Sequence, residues 1–245
     1  MHTEQYVLVV SGLGFEARIA RKVKGTRVCC AQAQAIAPLV AANLTPGCCG
    51  IVSFGVVGGL DPQLRPGSVI VATDIVVADG RYQTDSHWSA SLSRLFPDAI
   101  RSLIFSSNEI HADPEVKRRA FDKSGAAVVD MESHVAARVA HEKGLPFAAL
   151  RVVADPAHRF LPQSALDGVC IDGSTDPFAV LRGLARRPRE ALGVAALALD
   201  AWVAQAALAK IQRQLGHGFE VPGFRQPLAA VAEPNLELNL AEGTS

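Results

Sequence analysis

Two apolar runs bracketing an alanine-rich segment, in residues 128–155 (VVDMESHVAARVAHEKGLPFAALRVVAD), constrain the fold of this chain more than any other stretch. Val128 and Val129 predict a buried strand, with Asp130, Met131 and Glu132 at its end. Residues 135–142 have helical spacing, and Gly144 and Pro146 stop that helix. Residues 147–153 predict a second buried strand, with Asp155 just past its end. Strand, helix and strand in this order make an α/β sheet, and open sheets of that class bind ligands at the carboxyl ends of their strands. Asp130, Glu132 and Asp155 are therefore expected on one rim, delivered by two neighbouring strands. Three carboxylates there, with Arg151 nearby, suggest acid–base chemistry or hydroxyl binding rather than packing.

The remaining segments fit the same class. YVLVV at 6–10 is a continuous apolar run, as in a central strand buried on both faces. SGLG at 11–14 turns into a helix carrying Glu16 in its first turn. That helix start could cradle an anion, but it lacks the full G-x-G-x-x-G spacing, and Glu16 would repel phosphate. From local sequence alone, Glu16 reads equally well as a favourable charge on the helix dipole. Residues 28–30 predict a strand and 33–43 a helix. Residues 51–54 predict a strand running into Gly55, Val56, Val57, Gly58 and Gly59, where glycines let backbone approach a ligand. Residues 68–77 form a long strand, and 79–94 a polar, irregular loop walling the site, with His87 and Trp88 lining a pocket or capping the core edge. A strand over 101–107 ends near Ser106, Ser107 and Asn108, and Asp113 and Pro114 open a helix running to about Lys123. Residues 156–176 form a loop long enough to be functional or mobile. Helices follow over 177–187 and 189–215. One domain over 1–217 and a flexible tail over 218–245 are expected.

Composition narrows the function. A chain of 245 residues can bury one large α/β core. Its 24 basic and 24 acidic side chains cancel, which argues against a nucleic-acid-binding surface. Five cysteines, as two adjacent pairs and a single, do not have metal-ligand spacing and read as small buried hydrophobes. Neither metal nor cofactor is expected. The odd cysteine count and the absence of a signal-peptide pattern suit a reducing cytoplasm. Residues 191–211 are long enough to cross a bilayer, and Arg186, Arg187 and Arg189 precede them. Asp200, Gln205 and the dominance of alanine point instead to a packed helix of a soluble domain.

SFGVVGGLDPQLRPGSVIVAT at 53–73 resembles the glycine-rich segment of the purine nucleoside phosphorylases and nucleosidases. VVDMESHVAARVA at 128–140 resembles their carboxylate–Met–Glu segment, and RVVAD at 151–155 their strand ending in Asp. SGLGFEARIA at 11–20 is similar to the methylthioadenosine/S-adenosylhomocysteine nucleosidases. Residues 155–168 and 176–188 look like the hopanoid-biosynthesis branch, whose members are taken to remove adenine from adenosylhopane. The resemblance implies a three-layer α/β/α sandwich around a mixed, partly barrel-like sheet, in homo-oligomers. It implies that Asp155 protonates the leaving purine at N7, that Glu132 binds ribose hydroxyls with Met131 packing on the sugar, and that Glu16 activates water. Gly55, Val56, Ser107, Asn108, Ile110 and Arg151 would complete the binding site, and Asp130 would hold the segment in place. The family usually places an aromatic near Ile110.

Departures favour water over phosphate. Phosphorylases of this family place arginine and serine where this chain has Ser53 and Val56, and an arginine near Glu16. Arg18, Arg65, Arg81 or an arginine of another subunit could compensate. The expected reaction is hydrolysis of an adenosyl compound, adenosylhopane first. The alternatives are a phosphorylase, a methylthioadenosine/S-adenosylhomocysteine-type nucleosidase, and a nucleoside-binding protein without turnover. A lipid substrate would need an apolar exit, for which Leu13, Phe15, Trp88, Phe160 and Leu161 are candidates. Arginines within 182–189 could rest on anionic lipid in peripheral membrane contact, or simply be solvated.

Overall fold

The computed structural model describes residues 4–224. Its strands are β1 (Tyr6–Ser11), β2 (Thr26–Cys30), β3 (Cys48–Gly59), β4 (Val69–Val77), β5 (Gly80–Gln83), β6 (Ile100–Ser106), β7 (Val128–Asp130) and β8 (Phe147–Asp155). The α-helices are α1 (Gly14–Ala20), α2 (Ile36–Asn43), α3 (Ser86–Leu95), α4 (Pro114–Ser124), α5 (Ser133–Glu142), α6 (Gln163–Leu166), α7 (Pro177–Arg186) and α8 (Ala191–Gln214).

The sheet runs β2-β1-β3-β7-β6-β4-β5, and β8 pairs with both β3 and β4. Strands β3, β7, β6, β4 and β8 thereby close a ring, from which β1 and β2 extend as an open wing. The sheet is mixed: β3 runs parallel to β1 and β8 but antiparallel to β7. Twelve residues let β3 serve three partners, pairing β8 from Ile51 to Gly58 and β7 only at Gly58 and Gly59. All nine residues of β8 are buried, which its near-continuous apolar run foreshadows. Helices α2 and α5 cover one face through Val40, Val135 and Ala140. Helices α1, α3 and α8 cover the other through Ile19, Leu92 and Leu208. This is the three-layer, partly barrel-like architecture that the sequence implied.

Three expectations need correction. Strands β7 and β8 are not neighbours, because β3 runs between them and pairs with each. Residues 79–94 are not an irregular site wall; they form β5, paired antiparallel with β4, and α3, capped by Asp85. Ser86, His87 and Arg94 of α3 are exposed, while Trp88, Ser89 and Leu92 turn into the core. Trp88 is fully buried, and its Nε1 donates to the Phe219 carbonyl at 2.6 Å. It therefore lies in the core and not in a pocket.

That bond moves the expected start of the tail. Phe219 and Val221 are buried, and the Phe219 ring meets Phe54 edge-on at 5.1 Å between centroids. Phe219 sits at φ 52°, a left-handed conformation costly for a bulky residue. Its packed ring and the Trp88 bond offset that cost. Residues 225–245, the rest of the expected tail, lie outside the described residues.

Trp88→Ala should destabilise the protein by about 3–5 kcal/mol in urea unfolding, since it empties a core site and orphans a carbonyl. A loss below about 1 kcal/mol would contradict this placement.

Candidate active site

The site is built on a buried guanidinium. Arg151, in the middle of β8, has no exposed surface. One of its terminal nitrogens lies 2.7 Å from Asp130 Oδ2 and 3.8 Å from Glu132 Oε2. It donates to Ser53 Oγ at 2.6 Å and to Ser133 Oγ at 3.3 Å. Ser133 also bonds Ser53 and Asp130, so β3, β7, β8 and the start of α5 meet at one cation. Ser53 and Asp130 are thereby committed to structure. Arg151, expected to bind substrate, lies beneath the cavity and not in its wall.

Glu16, Glu132 and Asp155 line the space above it, together with Asp130 and Glu109. Glu16 is held from α1: its Oε2 accepts from the Gly12 and Leu13 amides at 2.9 Å each, and its Oε1 accepts from the Val56 amide at 2.7 Å. A carboxylate offers about four lone-pair sites. Three protein donors therefore leave about one for a water or hydroxyl. Glu132 Oε1 accepts from the Ala33 amide at 3.2 Å. Asp155 ends β8 and is paired with Lys117 of α4.

Glycines make room for these acids. A Cβ at Gly55 would run into the Glu16 carboxyl, and one at Gly12 would lie 2.9 Å from the Glu132 carboxyl carbon. At Gly58 it would lie 3.2 Å from Asp155 Oδ2. Gly55 and Gly58 thus serve close approach by carboxylates, while Gly59 lies against the backbone of residues 155–157. Gly55 itself backs Glu16 and does not line the cavity.

Burial pushes Glu16, Glu132 and Asp155 above their ordinary range. For Glu16 desolvation dominates, opposed by Arg151 and then by the backbone amides. Glu132 rises to about 7, because desolvation outweighs Arg151 and both Asp130 and Glu16 repel its charge. Asp155 is also raised by desolvation, and here Lys117 is the opposing influence. The sequence offered no sign of that partner. Lys117 is fully buried, and its Nζ donates to Asp155 Oδ2, to the Pro156 carbonyl at 3.2 Å and to the Arg159 carbonyl at 3.1 Å. Within EVKRRAFDK it is one cation among several that face water, and nothing local marks it.

These groups border a cavity of about 410 Å³. Glu16, Glu132, Asp155, Met131, Val56 and Ile110 all line it. Ser107 and Asn108 do not: the Ser107 hydroxyl bonds within its own turn to Glu109, and Asn108 accepts from Gln34. Glu109, Ile110 and His111 form that wall instead. The apolar side is made by Leu13, Leu161, Leu166, Val169 and Ile171. Phe15 packs into the core and Phe160 is exposed, so neither lines the exit as expected. Residues 156–176, predicted as a bare loop, contain α6 and a bridge between Val169 and Thr175, and they supply most of this apolar side.

A family model described as the phosphorylase superfamily matches residues 2–186. The chain belongs to that superfamily. Its members' chemistry makes it an enzyme acting on nucleosides. Among solved structures it resembles futalosine hydrolase of Helicobacter pylori strain 26695, with a TM-score of 0.64 and 16% identity over 87% of this chain and 98% of that one. A putative methylthioadenosine nucleosidase from Weissella paramesenteroides gives a TM-score of 0.57 and 18% identity over 87% and 98%. The 5'-methylthioadenosine/S-adenosylhomocysteine nucleosidase of Helicobacter pylori gives 0.60 and 16% over 87% and 100%. At these identities the likeness is one of fold. No curated protein sequence matches the chain.

Lys117→Met would leave Asp155 buried without its counter-charge, at a cost of about 3–5 kcal/mol near neutral pH. The folded-state pKa of Asp155 would rise further, so the folded chain would hold that proton more tightly than the unfolded chain. The stability deficit should therefore shrink as pH falls and Asp155 protonates, and grow as pH rises above the unfolded value near 4. Urea unfolding of variant and wild type across pH checks this; a deficit independent of pH would contradict it.

Proposed function

We propose that this protein hydrolyses the N-glycosidic bond of an adenosyl compound and releases adenine. The observation that carries the reading is the placing of Glu16, Glu132 and Asp155 around one cavity, with Glu16 retaining an unused acceptor position beside the sugar acid Glu132. Breaking the bond places positive charge on the ribose and negative charge on the departing base. Glu132, as the carboxylate, stabilises the first. Asp155 donates a proton to purine N7 and relieves the second. Glu16 takes a proton from the attacking water, whose oxygen bonds the anomeric carbon. Solvent exchange then returns the proton from Glu16 to Asp155, and the site is reset.

Phosphate is the poorer nucleophile for this site. Among the described residues, none lining the cavity is lysine or arginine, and Glu16 would repel an anion. Arg151 is committed to Asp130 and Ser53. The structural relatives above carry the names hydrolase and nucleosidase, which supports the same choice.

For the group at the 5′ position we infer a large apolar body, with adenosylhopane as the candidate. The support is the resemblance of residues 155–168 and 176–188 to the hopanoid branch, together with Leu161, Leu166, Val169 and Ile171 on the cavity's apolar side. Adenine release should be compared for adenosylhopane, methylthioadenosine, S-adenosylhomocysteine and inosine, with and without phosphate. Adenosylhopane should turn over fastest and phosphate should make no difference. Phosphate-dependent turnover would establish a phosphorylase, and tight binding without adenine release would establish a nucleoside-binding protein.

Asp155→Asn should lower kcat by about 10²–10⁴-fold, and by leaving the buried Lys117 ammonium without its counter-charge it should also cost about 3–5 kcal/mol of stability. Glu16→Gln should abolish hydrolysis; efficient phosphorolysis by that variant would show the nucleophile to be phosphate. Because Glu132 must be ionised to stabilise the ribosyl cation and its pKa lies at about 7, kcat/KM should fall with decreasing pH from near 7. An acid limb at ordinary carboxylate pH would remove Glu132 from this role.

A further inference from the structure

Helices α7 and α8 carry an uncovered apolar surface next to the cavity. The helix α8 has 24 residues and extends about 36 Å. Its buried residues, Ala204, Leu208 and Ile211, all lie in its second half. In its first half Leu192, Leu199 and Trp202 follow at helical spacing on one side. Phe178 and Leu181 do the same on α7. These five side chains are 60–85% exposed, in two consecutive helices, which single stray hydrophobes on a soluble surface would not produce.

The surface is joined to the cavity rim. Ser164 of α6 donates its amide to Glu190 at the entry to α8, and Gly193 lies against the Pro162 ring. Gly183 of α7 packs on Ser164, while Leu166 of the same short helix lines the cavity. Ile171, exposed in the turn before α7, lines it too.

Charge distinguishes the possible occupants. Arg182 and Arg187 pair with Asp176 and Asp167, but Arg186 and Arg189 make no ion pair among the described residues. They stand between the apolar segments of α7 and α8. The carboxylates of this face, Asp176 and Asp167, are already paired with Arg182 and Arg187, whereas a bilayer with anionic headgroups supplies unpaired counter-charges for Arg186 and Arg189. Within Pro188–Gln214 an 18-residue window reaches a mean hydropathy of 1.6, enough by length and composition to cross a membrane. Crossing, however, would strip Ala204, Leu208 and Ile211 from the sheet and carry the Arg159–Asp200 ion pair, at 2.7 Å, into hydrocarbon. A helix packed along half its length lies on a membrane rather than across it.

We propose that α7 and the first half of α8 form a docking surface for an anionic lipid bilayer. Phe178, Leu181, Leu192, Leu199 and Trp202 enter the headgroup boundary, and Arg186 and Arg189 meet lipid phosphates. Docking does not depend on which bond the cavity cleaves. Its use, turning the apolar mouth at Ile171 toward a lipid-borne substrate, rests on the nucleosidase reading above.

The test is flotation of the full chain with vesicles of phosphatidylcholine alone or mixed with phosphatidylglycerol. The wild type should float with the anionic vesicles and at least tenfold less with the neutral ones. The variants Leu199→Glu/Trp202→Glu and Arg186→Glu/Arg189→Glu should each lose at least tenfold in bound fraction, with unchanged circular dichroism and unchanged adenine release from water-soluble methylthioadenosine. Failure of the wild type to float with anionic vesicles, or variants that float as well as it does, would overturn the proposal. So would a Leu199→Glu/Trp202→Glu variant whose main change is a smaller mass by light scattering, since the face would then join copies of the chain. Vesicle binding with no adenine release from any nucleoside would overturn the nucleosidase reading and leave the docking surface standing.

Discussion

The geometry of the site depends on one buried cation. Arg151 sits in the most enclosed strand of the sheet, and without acidic partners its charge there would cost several kcal/mol. Asp130 and Glu132 supply that charge from the end of β7, across the intervening β3, and Ser53 and Ser133 complete the shell. Because the partners come from β3, β7 and the start of α5, satisfying the guanidinium fixes where these elements end relative to one another. That in turn sets Glu132 at the wall of the cavity.

Glu16 and Asp155 show how one fold holds similar buried groups with different partners. Both are buried, and burial raises both pKa values. Glu16 is surrounded by backbone amides, which favour the carboxylate that can accept a proton. Asp155 instead rests on a single ammonium that is itself shared with two carbonyls of the segment that follows. Lys117 thus links Asp155 to the start of the segment that builds the apolar side. A change in that segment can therefore reach Asp155 without touching the cavity.

The core elements were legible because their signals are local. Unbroken apolar runs mark β1, β3 and β8, and glycine and proline mark the end of α5. Residues 79–94 were misread because α3 buries only a narrow stripe, and its polar majority resembles a loop. The segment around Phe219 was misread because its order comes from Trp88, 131 residues away, and not from any local pattern. Ser107 and Asn108 were placed in the site by the family resemblance, whereas the turn after β6 directs their side chains elsewhere.

The sequence by itself determined the α/β class, the family, and the candidate acids Glu16, Glu132 and Asp155, because strand ends and glycine turns are encoded by neighbouring residues. It could not rank Arg151 as support rather than wall, find Lys117, or show that Gly12, Gly55 and Gly58 each make room for a particular carboxylate. Those depend on contacts between groups distant in sequence, 38 residues apart for Lys117 with Asp155 and 98 for Ser53 with Arg151. Electrostatic pairing acts through space, so only the closed sheet decides which charge meets which.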